Sequence, residues 1–211
     1  MKFFNKKWAT MLELIVMMAI MALWVASMLW VIESWTYFSK DTEDTIKAIN
    51  LAREWIEWVT NIRNTNWQRF SSDKFNCWKI LDYSSNCIWG WVASSISSWS
   101  YKLYSQNGLW YLSGVTATFS DVWGADWIGY KTIYKTWIDT DGYYTQTGMT
   151  NIGSWCTSER SNNCLTQYTR EIQVVPQGTG SLSVKSIVRW KWRRDQEIIL
   201  DAVLTNWKSK F

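Results

Sequence analysis

Between Met11 and Ile32 the chain is apolar almost without interruption, and the one charge inside that run, Glu13, sits near its start. Such a run reaches roughly 33 Å as a helix, enough to cross the hydrocarbon core of a bilayer. A carboxylate buried in lipid costs at least about 2.5 kcal/mol, so this one calls for a partner. Lys2, Lys6 and Lys7 precede the run, and positive flanks stay on the cytoplasmic side. A secretory signal peptide would have a shorter apolar region followed by a small-residue cleavage site. Val31-Ile32-Glu33-Ser34-Trp35-Thr36 offers no such site. The segment is therefore expected to be a retained anchor, with the N-terminus inside and the bulk of the chain outside.

The frame Lys6-Lys7-Trp8-Ala9-Thr10-Met11-Leu12-Glu13 resembles the N-terminus of type IV pilins and pseudopilins. In that family a prepilin peptidase cuts after a glycine, and a glutamate stands fifth in the mature chain. With Ala9 first, Glu13 is fifth. The resemblance implies cleavage between Trp8 and Ala9, methylation of the new amine, and an assembly role for Glu13, which would neutralise the terminal amine of a neighbouring subunit. Opposite charges in a low dielectric cost far less together than apart. Read without the family, Glu13 is an acid near a helix N-terminus, stabilised by the helix dipole. Two positions depart from the family pattern: Trp8 stands where glycine is usual, and Ala9 where phenylalanine is usual. The segment Ala52-Arg53-Glu54-Trp55-Ile56-Glu57-Trp58-Val59 is similar to a pilin-like helix reading AREGIEGV, and Ser183–Lys208 is similar to the C-termini of some pseudopilin-like proteins. The partners implied are a prepilin peptidase, other pilin subunits, a membrane assembly platform and, indirectly, an assembly ATPase. The location implied is the cytoplasmic membrane, then a filament at the cell surface or in the periplasm. No cofactor is implied.

The chain has 19 Trp and 10 Gly, where average usage of about 7% Gly would give roughly 15. This is the pattern expected if UGA codons meaning glycine were translated as tryptophan. On that reading many indoles stand for glycine, Trp8, Trp24, Trp55 and Trp58 among them. Trp67, Trp190 and Trp207, in the contexts NTNW, IVRW and LTNW, would be genuine. The other reading is a Trp-rich protein, with aromatic belts at the membrane and stacking platforms outside it. With tryptophan at 24, 30 and 35 the sequence predicts one continuous helix through Trp24–Trp35, its indoles pointing outward.

The remaining pattern predicts an α+β fold: a long N-terminal helix, transmembrane in its first half, on an antiparallel sheet. The expected organisation is a leader (1–8), a membrane and assembly helix (9–35), an amphipathic continuation (36–66) and a β-rich domain (67–211). In the continuation Ile46, Ile49, Ala52, Ile56, Val59 and Ile62 recur every three or four residues and predict the stripe that packs on the sheet. Ser39 to Thr42 could alternatively cap a separate helix. Beyond residue 66 the period becomes two. Gln106-Asn107-Gly108 predicts a hairpin turn between Tyr101–Tyr104 and Leu109–Leu112. Further strands are expected at Tyr130–Trp137, Thr169–Val175, Ser183–Trp190 and Glu197–Leu204. Stretches 84–100 and 145–163 are expected to be surface loops.

Four cysteines lie beyond the anchor, which favours disulfides. Of three connectivities, Cys77–Cys87 and Cys156–Cys164 are expected, because each pins one loop. Zinc is disfavoured by the spacing and the absence of histidine. That absence also removes the commonest general base and the Ser-His and Cys-His pairs. Asp139-Thr140-Asp141-Gly142 resembles the start of a calcium loop but lacks its closing glutamate, so Asp139 and Asp141 are a weak calcium candidate against a plain surface turn. Net charge is +4, and loss of residues 1–8 removes three lysines and leaves +1. A nearly neutral chain has no broad basic face for nucleic acid, although DNA remains among the ligands a sheet domain could meet. Three roles follow: a filament or secretion-machine subunit, an uncleaved membrane-anchored surface binder, or an anchored hydrolase using carboxylates.

Overall fold

The computed structural model describes residues 6–89, 95–106, 109–115, 134–138, 144–146, 164–178, 180–191 and 195–207. The chain divides into two compact units, Met1–Ile46 and Lys47–Phe211. One helix, α1 (Lys6–Arg69), runs through the boundary. No break occurs at Ser39 to Thr42, because nothing there opposes helix: no proline, and no glycine anywhere in α1.

In the first unit the helix is exposed from Met11 to Lys40. Its hydroxyls turn back onto the helix: Ser27 Oγ donates to the Trp24 carbonyl (2.7 Å) and Thr36 Oγ1 to that of Glu33 (2.7 Å). These two hydroxyl hydrogens are satisfied within the helix, as an apolar solvent favours. Trp24, Trp30 and Trp35 all project outward, in line with the sequence-based expectation for a chain with tryptophan there. This helix is long and apolar enough to cross a membrane.

In the second unit the helix packs one face on a seven-stranded antiparallel sheet, which makes the fold α+β. The buried stripe is Asp44, Ala48, Leu51, Ala52, Trp55, Val59, Ile62 and Asn66; it contains Ala52, Val59 and Ile62 of the expected series but not Ile46, Ile49 or Ile56. Each three-residue step falls about 60° short of a full turn. The run Ile46, Ile49, Ala52 therefore drifts around the cylinder, and Ile46, Ile49 and Ile56 stay partly or largely exposed. Alternating steps of three and four through Trp55 hold the correct phase.

The strands are β1 (Trp99–Gln106), β2 (Leu109–Val115), β3 (Lys135–Ile138), β4 (Tyr144–Thr145), β5 (Cys164–Pro176), β6 (Ser181–Lys191) and β7 (Asp195–Thr205). The expected hairpin is present: Gln106 pairs with Leu109, leaving Asn107 and Gly108 between the strand ends. β5 organises the sheet. One edge pairs with β6 along nine residues, and β6 pairs with β7. The other edge is shared end to end, β3 taking residues 164–169 and β1 residues 172–174.

At the seam between β3 and β1, Gln146 supplies the pairing that neither strand provides. Its amide donates to the carbonyls of Tyr134 (2.9 Å) and Arg170 (2.8 Å) and accepts from Leu103 N (3.3 Å). Gln146 falls in a stretch expected to be a surface loop, and it is buried. A buried amide with no partner would cost several kcal/mol, so three bonds at one side chain fix the seam.

The end of α1 is also tied down. Asn66 donates to the carbonyls of Ile80 (2.9 Å) and Trp78 (3.4 Å). Trp67 Nε1 donates to Asn206 Oδ1 (3.0 Å), and Trp207 meets the Trp67 ring edge-on. The NTNW and LTNW segments thus meet in space across most of the chain's length. A short helix, α2 (Lys74–Cys77), follows, capped by Asp73, whose carboxylate accepts from Asn76 N (3.1 Å).

Trp55 is the largest fully buried side chain. Trp55→Gly removes that volume and adds a glycine to the helix, so the fragment 39–211 should lose about 4 kcal/mol or more. Urea denaturation measures this. An unchanged midpoint would make position 55 a natural glycine site and favour the recoded reading.

Candidate functional site

The expected processing site lies at the start of α1. The helix begins at Lys6, so the Trp8–Ala9 bond falls within its first turn. Glu13 lies one turn beyond Ala9, on the same helical face, and is exposed. The structure thus brings position 9 and Glu13 to one side of the helix.

The second feature is the disulfide pattern. Cys77 of α2 is bonded to Cys87 in the short 3-10 helix Ser85–Trp89. Both are buried in a small cluster with Phe70 and Ile80, so the bond closes the loop after α1 from within. Cys164, the first residue of β5, is also buried and disulfide-bonded; its expected partner Cys156 lies outside the described residues. Asp139 and Asp141 lie outside them as well. Among the described residues, no group of three or more His, Cys, Asp or Glu side chains could hold a metal ion.

Sequence reasoning missed the buried charges of β5. Arg170 is 1% exposed, beneath the helix. Its Nη1 reaches Glu54 Oε2 (3.4 Å) on α1, its Nη2 the Tyr144 carbonyl (3.3 Å), and its guanidinium lies 4.2 Å from the centre of the Trp55 ring. Burial lowers this group to about 9, opposed by the charges of Glu54 and Tyr144 and by the Glu54 hydrogen bond, so it stays charged at neutral pH. The neighbouring Glu171 is fully buried. Its carboxylate accepts from Ser100 Oγ (2.6 Å), Gln173 Nε2 (3.0 Å) and Arg189 Nη1 (3.1 Å), and Arg189 Nε also pairs with Glu197. The available signal was a phase conflict: Arg170 shares the inward alternation of Tyr168, Ile172 and Val174. A charge in that position needs a counter-charge across the layer, and Glu54 provides it. These ties hold helix to sheet and strand to strand.

An aromatic group flanks the core. Trp58 stacks on Trp110 with ring centres 4.2 Å apart, and Tyr83 meets Tyr111 edge-on. Tyr83 has a left-handed backbone (φ 54°), and its hydroxyl donates to the Trp110 carbonyl (2.8 Å). Burial pushes its phenol up to about 12, helped by Tyr111 and opposed by Arg69.

Comparison with protein-family models, with curated proteins and with solved structures gives no match for this chain.

The Tyr83 phenol has a checkable pH signature. A folded value raised above the unfolded 10 means that its stabilisation is full below pH 10 and is lost between pH 10 and about 12. Arg170 changes stability with the opposite sign above about pH 9, and comparison with Tyr83→Phe cancels that effect. The stability gap between parent and Tyr83→Phe should be constant up to pH 10 and shrink above it, measured by denaturant titration. A flat gap to pH 12 would contradict the assignment.

Proposed function

We propose that this chain is a structural subunit, a minor pilin or pseudopilin of a type IV filament or a related secretion machine. The observation that carries the reading is the frame of Lys6, Lys7, the Trp8–Ala9 junction and Glu13 at the head of an exposed apolar helix. The same helix continues into a unit where it packs on an antiparallel sheet, an architecture compatible with a pilin-like shape. In this role the first unit waits in the cytoplasmic membrane, with the lysines inside. The buried Cys77–Cys87 disulfide fits a second unit that matures on the oxidising side. A prepilin peptidase removes residues 1–8. Glu13 then pairs with the terminal amine of a neighbouring subunit, and the span transfers from lipid into the assembly.

One observation favours a second reading, an uncleaved membrane-anchored surface binder. Trp8 puts an indole beside the bond to be cut, where a peptidase adapted to glycine has no room for it. The half-buried Trp58, Trp110 and Tyr111 would then be the surface available to a polysaccharide or peptide.

Processing separates the two. In cells with an active prepilin peptidase, N-terminal sequencing of membrane-extracted protein should begin at Ala9, and Trp8→Gly should be cut faster than a chain with true tryptophan there. An intact N-terminus in both forms would favour the anchored binder.

Assembly tests Glu13. Glu13→Ala removes a charge whose burial in lipid costs at least about 2.5 kcal/mol, so insertion should be unimpaired. Sheared filaments should nevertheless lack the variant. Normal incorporation would remove Glu13 from the mechanism.

A further inference from the structure

The span's far end carries a feature that spanning alone does not require, and its role rests on reading Met11–Ile32 as a membrane span and on tryptophan at positions 30 and 35. From Leu14 to Ile32 there is no charged side chain, and large apolar residues are exposed all round the helix. The next stretch is two-faced. Trp30, Val31, Ser34, Trp35 and Phe38 line one groove of about 390 Å³ along the helix. At about 100° per residue these five fall within one arc of roughly 140°, and Glu33, Thr36 and Lys40 fall on the opposite side. Tyr37, at the border, donates to Glu33 Oε1 (3.0 Å) and so leans toward the polar side.

Depth and chemistry identify what meets the aromatic side. From Leu14, Trp30 lies roughly 24 Å and Trp35 roughly 32 Å along the axis, so the two indoles straddle the far boundary of a hydrocarbon core of about 30 Å. Indole combines an apolar body with one N–H donor, which suits the glycerol and carbonyl layer. A second helix is the poorer occupant. Close helix packing in lipid uses small side chains, and those of this span, Ala19, Ala22 and Ala26, lie deeper. The groove is instead walled by two tryptophans and a phenylalanine, 71–73% exposed.

We propose that the Trp30–Phe38 face is a lipid-headgroup seat, holding the phospholipid glycerol and carbonyl layer of the leaflet distal to Lys6 and Lys7. The helix leaves the bilayer tilted, with this face on the headgroups and Glu33, Thr36 and Lys40 in water. The seat sets the depth of the span and the direction in which the chain emerges.

Nitroxide accessibility tests this on the full chain in phosphatidylethanolamine–phosphatidylglycerol vesicles. Ser27→Cys, Thr36→Cys, Phe38→Cys and Thr42→Cys are labelled without reductant, so that existing disulfides stay closed. Collision with oxygen reports lipid, and collision with a nickel chelate reports water. Ser27 should favour oxygen and Thr42 the chelate. Phe38 should favour oxygen several-fold more than Thr36, although Thr36 is nearer the span. Adding Trp30→Gly and Trp35→Gly should bring the Phe38 ratio to that of Thr36. Equal ratios at 36 and 38, or no response to the double substitution, overturn the seat while a lipid reading at Ser27 leaves the span intact. A Phe38 label shielded from both reagents would mean a protein neighbour and also overturn it. A chelate-accessible Ser27 overturns the span itself, and the seat with it.

Discussion

Covering with water the apolar surface that α1 presents between Met11 and Ile32 is costly. Seventeen large apolar side chains are exposed there, each worth about 1.5 kcal/mol or more when removed from water. Together they outweigh the roughly 5–15 kcal/mol that holds a typical domain folded. An apolar surrounding would remove that cost, and the helix is long and apolar enough to cross a membrane. The layout of the first unit follows from that constraint. The charges withdraw to the ends of the run, its one hydroxyl, Ser27, bonds to its own helix, and Glu13 stands out as a charge that needs a reason.

The second unit is held by a different chemistry. Its helix seats Trp55, Val59 and Ile62 on the sheet, and its only deeply buried cation, among the described residues, is met from both layers. Glu54 and the Trp55 ring come from the helix side, and the Tyr144 carbonyl comes from the sheet. Glu54 is 37% exposed, so solvent screens the pair and its net gain over an apolar contact is small, while Arg170 itself stays buried and needs its partners. Arg170 therefore specifies register more than it adds stability: slipping β5 by one residue would turn the guanidinium away from Glu54. Gln146 acts similarly at the seam where β3 and β1 share one edge of β5.

Much of this was legible in the residues. The apolar run, a helix to about residue 66, the hairpin around Asn107-Gly108 and strands within Thr169–Val175, Ser183–Trp190 and Glu197–Leu204 follow from period and turn chemistry, which are local; the strand expected at Tyr130–Trp137 lies partly outside the described residues, and strand begins there only at Lys135. What was not legible is non-local. The helix stripe was half legible: Ala52, Val59 and Ile62 are buried, but Ile46, Ile49 and Ile56 at three-residue steps drift off the face that Ala48, Leu51 and Trp55 hold. β5 was expected to start at Thr169. Its first five residues are polar or mixed; Cys164 and Leu165 pair with β3, and Tyr168 pairs with Trp190 of β6. Gln146 looked like a loop residue because its three partners lie on elements distant in sequence. At the candidate site, the Lys-Lys, Trp8–Ala9 and Glu13 frame was visible by spacing alone. The Arg170–Glu54 tie needed the layers to be brought together.

The central claim is that the first unit lies in a bilayer and the second on the oxidising side of it. Protease added outside right-side-out membrane vesicles tests this most directly. The second unit should be digested, and a short N-terminal fragment, ending near Ser39, should stay protected until detergent is added. Full-length protection, or release of the intact chain into the soluble fraction, would contradict the claim.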